Sequence, residues 1–469
     1  MKAHFFVYLD KLRAAYWFIP TVMSLLAITL SFVTTSADAW LGASWLEDVS
    51  WIYANKPVGA RVVLSTIAGS MITVAGVVFS ITIAAVSYAA AQYGPRLLTN
   101  FMRDRGNQFT LGTFIATFLY CLLVIRTVRS ADEMQSISAD PSGVTAEFVP
   151  NISILTGIGL ALCSIAVLIY FVHHVARSIH ISHVIADIGM QLRGKIVEQY
   201  PLELGDQSAL EIANSAAKDK LLANYIDPRA ILKTDNYIAI IAKKYGFIQV
   251  LDEQTMIKTA SKHNLTVELL RQPGDFLQSN SRVMHVWPRD LVSEEVAGIL
   301  RATIICGETR TPVQDLLFLV DELVEIAARA LSPGVNDPFT ALNCINWLGA
   351  AIGDLGRREL PSSYWKDADG RVRVVVSPTT FEDFLSEAFG KLRPYAARDV
   401  NVSLHMLDTV AEVSVPGEYG KERKALQKQV SLLLDACAAQ LPDGDLARVK
   451  ERHREVMDII AQPDTSPVV

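Results

Sequence analysis

The sequence predicts a membrane α-helical protein, with four transmembrane helices and both termini cytoplasmic, joined to a mostly α, α+β cytoplasmic domain. Three observations predict this class. Between Arg61 and Arg96 lie thirty-four residues without a formal charge, well above the roughly 20 apolar residues that cross about 30 Å of hydrocarbon. Hydrophobic residues make up 51% of the 469-residue chain, and the excess falls before about residue 184. Beyond that point charges are scattered as in an ordinary soluble domain, so the chain divides there into a membrane part and a larger soluble part.

The first span is expected at about Tyr16–Thr34. It lacks a small-residue cleavage site and three further spans follow, which excludes a cleaved signal. The second, about Val62–Ala90, places Thr66, Ser70, Thr73, Gly76, Ser80, Ala84 and Ser87 at spacings of three or four, one helix face of small and hydroxyl side chains. The third and fourth are expected at about Thr110–Ile125 and Ile152–Val172. None of the four carries Asp, Glu or Lys in its central part.

Loop charges give the orientation, because Lys and Arg near span ends are retained in the cytoplasm. Lys2, Lys11 and Arg13 precede the first span, Arg96, Arg103 and Arg105 stand in the second loop, and Arg177, Arg193 and Lys195 follow the fourth span. The first loop instead has Asp38, Glu47 and Asp48 against Lys56 and Arg61, and the third has Asp132, Glu133, Asp140 and Glu147. Trp40, Trp45 and Trp51 cluster in the first outer loop, where Leu41, Trp45, Val49 and Ile52 would form one face of a short interfacial helix.

The soluble part opens at 185–312 with a helical connector, GMQLRGKIVEQ, and the helix-friendly SALEIANSAAKDKLLANYI. A small β-rich unit follows near Tyr245–Trp287, where GFIQVLD, LTVELL and RVMHVW are separated by the turn residues of RQPGDF and QSNS. Residues 313–415 read as a helical domain. In Val313–Leu331 one face holds Leu316, Leu319, Leu323, Ile326 and Ala330, and Glu325 can pair with Arg329 one turn on. SPGVNDP stops that helix, since Pro338 forces Asp337 out of helical geometry. RVRVVV at 371–376 reads as a strand, FEDFLSEAFGKL and VNVSLHMLDTVAEV as helices, and 416–469 as two charged helices and a tail.

The blocks GPRLLTNFMRDRGNQFTLGTFIATFLYCLLVIRTVR, IYFVHHVARSI and RALSPGVNDPFTALNCINWL resemble the bacterial membrane-protein family catalogued as domain of unknown function 2254. The resemblance runs to roughly Val413. It implies four spans and a cytoplasmic domain, and it implies no activity; the expected location is the bacterial inner membrane.

No phosphate-binding loop, dinucleotide fingerprint, HExxH pair or GxSxG elbow is present, so no enzyme class and no cofactor is indicated. The net charge of -6 gives nucleic acid no electrostatic footprint. Five scattered cysteines without a CxxC pair form neither a disulfide framework nor a zinc site. Asp321, Glu322 and Glu325 could tempt a metal reading, but a salt-bridged helix face is preferred, and no metal ligand set is assigned. His173, His174, His180 and His183 lie where the fourth span ends, as interfacial groups or a pH-sensing cluster. Asn336 and Asp337 serve a turn, or alternatively orient a ligand on the amides near Phe339–Leu342. Arg126 and Arg129, one turn apart at the outer end of the third span, either pair with Asp132 or Glu133 or form with Arg61 a cationic outer mouth.

The stripe of the second span has two readings, close helix packing or the lining of a narrow uncharged pathway. Four spans are too few for a roomy pathway in one chain, so a pore would need several copies. The working expectation is a homo-oligomeric, channel-like inner-membrane protein with a regulatory cytoplasmic domain, in contact with lipids and a small ion or small molecule. A membrane-anchored sensor or scaffold without a pore is the alternative, and an enzyme on lipid or envelope precursors the third.

Overall fold

The computed structural model describes residues 15–41, 57–94, 104–129, 148–201, 235–414 and 422–461. It separates after His183 into two compact units.

The first unit contains α1 (Phe18–Leu41), α2 (Pro57–Tyr93), α3 (Arg105–Ile125) and α4 (Asn151–Ile179). All four are long and apolar enough to cross a membrane, and each extends beyond its expected span. Asp38, which the charge pattern puts in a loop, stands on α1 and is buried. Asn107 and Gln108, before the expected start of the third span, are buried on α3. His173 and His174 lie on α4, which runs seven residues past Val172. Asp38 and His174 stay on helices because groups at the ends of other helices bond to them, which hydropathy does not register.

α3 is the central helix, packed by the other three. A Cβ added at Gly112 would stand 2.6 Å from the Met23 sulfur of α1, and one at Gly157 of α4 would stand 3.2 Å from Leu64 of α2. Two apolar layers fill the interior. Leu64, Tyr120, Cys121, Val124 and Ile154 make one, and Met71, Val78, Phe114, Phe171 and Val175 the other.

The second unit begins on α5 (Ile181–Gln199), whose Ile185, Ile188, Leu192 and Ile196 form a buried stripe. The strands follow: β1 (Ile238–Ile241), β2 (Gly246–Leu251), β3 (Thr266–Leu269), β4 (Phe276–Leu277), β5 (Arg282–Trp287) and β6 (Ile304–Gly307). Two helices are interleaved, α6 (Glu253–Lys262) and α7 (Glu294–Ala302). The expected β unit is present and larger than 245–287. β7 (Tyr364–Lys366) and β8 (Val372–Val375) join it from far along the chain, giving one sheet in the order β1-β5-β3-β8-β7 and a second in the order β4-β2-β6. β8 pairs parallel with β3, Val267 opposite Val374, so the sheet draws on both sides of residue 312. Met256, Leu265, Met284, Val286 and Leu300 are fully buried between sheet and helices.

The helical remainder is α8 (Leu316–Ala330), α9 (Pro338–Gly356), α10 (Phe381–Leu385), a π turn (Ser386–Gly390), α11 (Lys391–Ala396), α12 (Val400–Ser414), α13 (Glu422–Ala438) and α14 (Asp443–Ala461). The expected face of α8 is the buried one: Leu316, Leu319, Leu323, Ile326 and Ala330 are at most 4% exposed. Glu325 and Arg329 pair at 3.5 Å. The π turn ends at Gly390, whose carbonyl has no α-helical donor four residues on because Pro394 lacks an N–H. The interfacial helix expected beyond Leu41, and the helix expected over 208–226, lie outside the described residues.

Candidate functional site

The two faces of α2 differ in kind. Ala60, Leu64, Ala68, Met71, Ala75 and Val78 are buried against the other helices of the unit. Thr66, Ser70, Thr73, Gly76, Ser80 and Ser87 are all exposed on the opposite side. At 3.6 residues per turn, Ala75 stands about 200° around the helix from Thr73. The stripe is therefore not covered by any described helix of its own chain, and a Cβ added at Gly69 or Gly76 would meet nothing within 4 Å.

Four of its hydroxyls are satisfied inside the helix. Thr66 donates to the Val62 carbonyl at 2.7 Å, Ser70 to Ile67 at 2.9 Å, Thr73 to Gly69 at 2.8 Å and Ser80 to Gly76 at 2.8 Å. An apolar medium can border the face along these four residues, because their donors are bonded.

The Arg61 end of the unit is tied by a polar network that the sequence does not reveal. Asp38 accepts from the Ile152 and Ser153 amides at 2.8 and 3.0 Å and from the Ser153 hydroxyl at 2.7 Å. A carboxylate from α1 thus caps the N-terminus of α4, whose own cap position is Pro150 and supplies no side-chain bond. Tyr120 donates to the Ser153 carbonyl at 3.0 Å and meets Thr34 at 2.9 Å. Arg61 donates to the Val128 carbonyl at 2.7 Å, which brings it to the C-terminus of α3 beside Arg126 and Arg129. Both of those are exposed. Arg129 also forms a backbone bridge with Phe148. The three expected arginines thus share one end of the bundle, with Arg61 engaged by a carbonyl. Asp132 and Glu133 lie outside the described residues.

At the opposite end the histidines separate. His174 Nε2 is 2.6 Å from Asp104 Oδ2, while the other Asp104 oxygen caps α3 by accepting from the Gly106 amide at 2.7 Å. Gly106 is glycine for room: a Cβ there would stand 2.7 Å from His174 Nε2. Tyr170 stacks on the His174 ring. His180 and His183 meet edge to face, 5.6 Å apart, at the break between α4 and α5, and His173 is exposed. The four do not converge. Among the described residues no three His, Cys, Asp or Glu side chains are grouped to hold a metal ion.

In the second unit the SPGVNDP turn is built for its backbone. Asn336 takes the left-handed φ of 49°. Asp337 caps α9, accepting from the Thr340 amide at 3.2 Å and its hydroxyl at 2.6 Å. The carboxylate expected to orient a ligand on those amides occupies one of them itself.

On α8 Asp321 is ion-paired, as Glu325 is with Arg329, while Glu322 is buried. Arg310 binds Asp315 through two nitrogens, at 2.7 and 3.0 Å, and also binds Asp321. Lys391 donates to Asp321 at 2.8 Å and pairs with Glu387. Burial pushes the Asp321 carboxyl up, but Lys391, Glu387 and Arg310 together bring it below the ordinary carboxylate range. At Asp315 burial prevails over Arg310 and raises it.

Sequence reasoning also missed an open cleft of ≈ 890 Å³ lined by Tyr200, Arg358, Glu382, Lys424 and Lys428 among others. Its charges are of both signs, and Lys428 and Glu382 pair at 2.8 Å. Burial pushes Tyr200 up to about 12, and its hydroxyl donates to the Thr379 carbonyl at 2.8 Å. Tyr200 is a wall-forming donor there rather than a titrating one.

These features define a four-span membrane protein carrying a mixed α/β unit with two sheets. The family model described as predicted membrane protein (DUF2254) matches residues 13–412, and the chain belongs to that family. It is 27% identical over 463 residues to the uncharacterized protein Rv1290c of Mycobacterium tuberculosis (strain H37Rv), covering 97% of this chain and 83% of the relative. The uncharacterized protein Mb1321c of Mycobacterium bovis is similar to the same extent. No solved structure matches the chain.

Proposed function

We propose that this protein is a self-associating membrane anchor: copies meet across the stripe of α2 in the inner membrane and gather their α/β units, as sensor or scaffold domains, on the cytoplasmic side. The observation that carries the reading is the outward stripe. Lipid tails pack as well on Leu or Val as on Gly and Ser, so a lipid-facing surface gains nothing from small residues. A second helix gains close approach and dispersion contact from them. Hydroxyls already bonded within the helix lower the cost of exposing the face before assembly. The cytoplasmic placement rests on the positive-inside charge pattern.

A pore is the second reading, favoured by the same absence of a covering helix: several copies arranged about an axis would turn their stripes to a common lumen. Single cysteines at Thr73 and Ser80, in a chain with Cys163 and Cys306 replaced by Ser, should cross-link between copies in native membranes, while Phe79→Cys, 43% exposed but about 120° from Thr73 and about 100° from Ser80 around the helix, should not. Cross-linking confined to Phe79→Cys, or a monomer throughout, overturns the association. Ion flux through liposomes that is lost on Thr73→Leu would establish the pore; cross-linked copies without flux leave the anchor.

A further inference from the structure

The first turn of α3 buries an amide side chain. Asn107 is 3% exposed, and among the described residues its Oδ1 has no hydrogen-bond partner. A buried acceptor is costly to leave unmade, so a donor belongs beside it.

The register of α2 and α3 shows what surrounds it. Arg61 of α2 reaches the Val128 carbonyl just past the end of α3, and Ala75 and Phe114 share one apolar layer. The residue numbers in these two pairs have the same sum, as they must across antiparallel helices in register. Carried about two turns further, the register brings Thr82 level with Asn107. Thr82 is 6% exposed, on the buried face of α2 with Ala75 and Val78. Asn107 is on the face of α3 that carries Phe114, so the two side chains face each other across the helix pair.

Tyr16, just before α1, closes the third side. Its ring is 6.4 Å from that of Phe79, one turn before Thr82. Its buried hydroxyl stands near the Thr82 hydroxyl but beyond normal hydrogen-bond reach, and among the described residues it too has no partner. Polar groups that face each other across such a gap are the usual setting of a bridging water.

The donors and acceptors match that molecule. Thr82 gives its hydrogen to the Val78 carbonyl at 2.8 Å, which leaves its oxygen to accept. Asn107 Oδ1 also accepts, and Tyr16 has a hydrogen to give. Asp104 acts on Tyr16 through its charge, but its two oxygens are taken by the Gly106 amide and His174. Two acceptors and one donor suit water, whereas a metal cation would leave the Tyr16 hydrogen unmade.

We propose that Asn107, Thr82 and Tyr16 hold one internal water that joins the start of α1, α2 and α3 at the Arg105 end of the bundle. It donates to Thr82 Oγ1 and Asn107 Oδ1 and accepts from the Tyr16 hydroxyl, the three bonds usual for a buried water.

The test uses the full chain in nanodiscs and reads amide hydrogen exchange over residues 108–114, which follows local opening at the start of α3. Asn107→Leu should speed exchange about tenfold, and Tyr16→Phe about threefold. If the two groups hold no water, an apolar replacement relieves an unmade bond and exchange slows or stays as it was, which overturns the proposal. The double variant tests whether they share one molecule: its rate should match that of Asn107→Leu alone, and accelerations that multiply overturn the shared water. A wild-type rate that changes when N-methylglucamine is replaced by Na+ or K+ overturns it as well, because a cation then fills the site. None of these outcomes bears on the α2 stripe, which faces away from Thr82 and is read by cross-linking.

Discussion

Replacing Asp38 by Ala removes one carboxylate and leaves three donors at the start of α4 without it: the Ile152 and Ser153 amides and the Ser153 hydroxyl. Loss of a helix cap costs about 2 kcal/mol where the site is dry, and the orphaned hydroxyl adds about 1 kcal/mol. The sum of about 3 kcal/mol corresponds to roughly a hundredfold shift between closed and locally open forms of this end of the bundle. Cys121 reports on it, since it is 0% exposed and packs in the same layer as Tyr120 and Ile154. Labelling of a buried thiol follows the open population when reclosing is fast. In full-length protein in nanodiscs, with Cys163 and Cys306 replaced by Ser, Asp38→Ala should speed Cys121 labelling about a hundredfold. Asp38→Asn, which keeps one acceptor, should do so by about tenfold. Cys344, buried in the other unit, serves as the internal standard and should not change. Wild-type labelling of Cys121 in Asp38→Ala would refute the cap. Equal acceleration at Cys344 would show global unfolding instead.

Two further perturbations address the α/β unit. Arg310→Met strands Asp315, whose side chain is 3% exposed, leaves Asp321 with Lys391, and should lower stability by about 3–5 kcal/mol in thermal denaturation of the full chain. Because burial already raises Asp315, its protonation should shrink that deficit as the pH is lowered. His453, on α14, is held below 6.5 by burial, with Asp435 opposing, and its Nε2 is buried without a hydrogen-bond partner. The unfolded chain therefore takes up this proton first, so the stability His453 contributes is complete above about pH 6.5 and is lost as the pH falls below it. His453→Gln should flatten this step in a melting-temperature profile between pH 7.5 and 5.5, and an unchanged profile would exclude His453 as its source.

Legibility followed how local the governing physics is. The four spans and the stripe of α2 were readable because periodicity and lipid thickness act along one segment. So were the buried face of α8 and the strand at 372–375, though not its parallel pairing with β3 across about a hundred residues. Span ends were misread for one reason. Asp38 and His174 look like loop or interface chemistry until a partner at the end of another helix holds them. Asp38 is the clearest instance, because its partners stand 114 and 115 residues away. At SPGVNDP the turn chemistry was legible and the ligand role was not carried by the structure, since Asp337 spends its carboxylate on its own helix.

The position of Asp38 bears on mechanism as well as on boundaries. A coupled transporter keeps a carboxylate that exchanges its proton or cation during the cycle, and the spans show no Asp, Glu or Lys in their central parts. The helical extension adds one acid to α1, but three donors from the start of α4 hold both of its oxygens, so releasing them would uncap that helix on each turnover. At the other end Asp104 is divided between the α3 cap and His174. Among the described residues, Asp38 and Asp104 at the two ends of the bundle are thus occupied with joining its helices, and the hydroxyls of Thr66, Ser70, Thr73 and Ser80 along α2 are occupied with their own backbone. What the single chain leaves unused in its membrane unit is a surface, small in its side chains and already satisfied in its hydrogen bonds. Such a surface is suited to meeting another helix rather than to carrying charge, which supports the self-associating anchor.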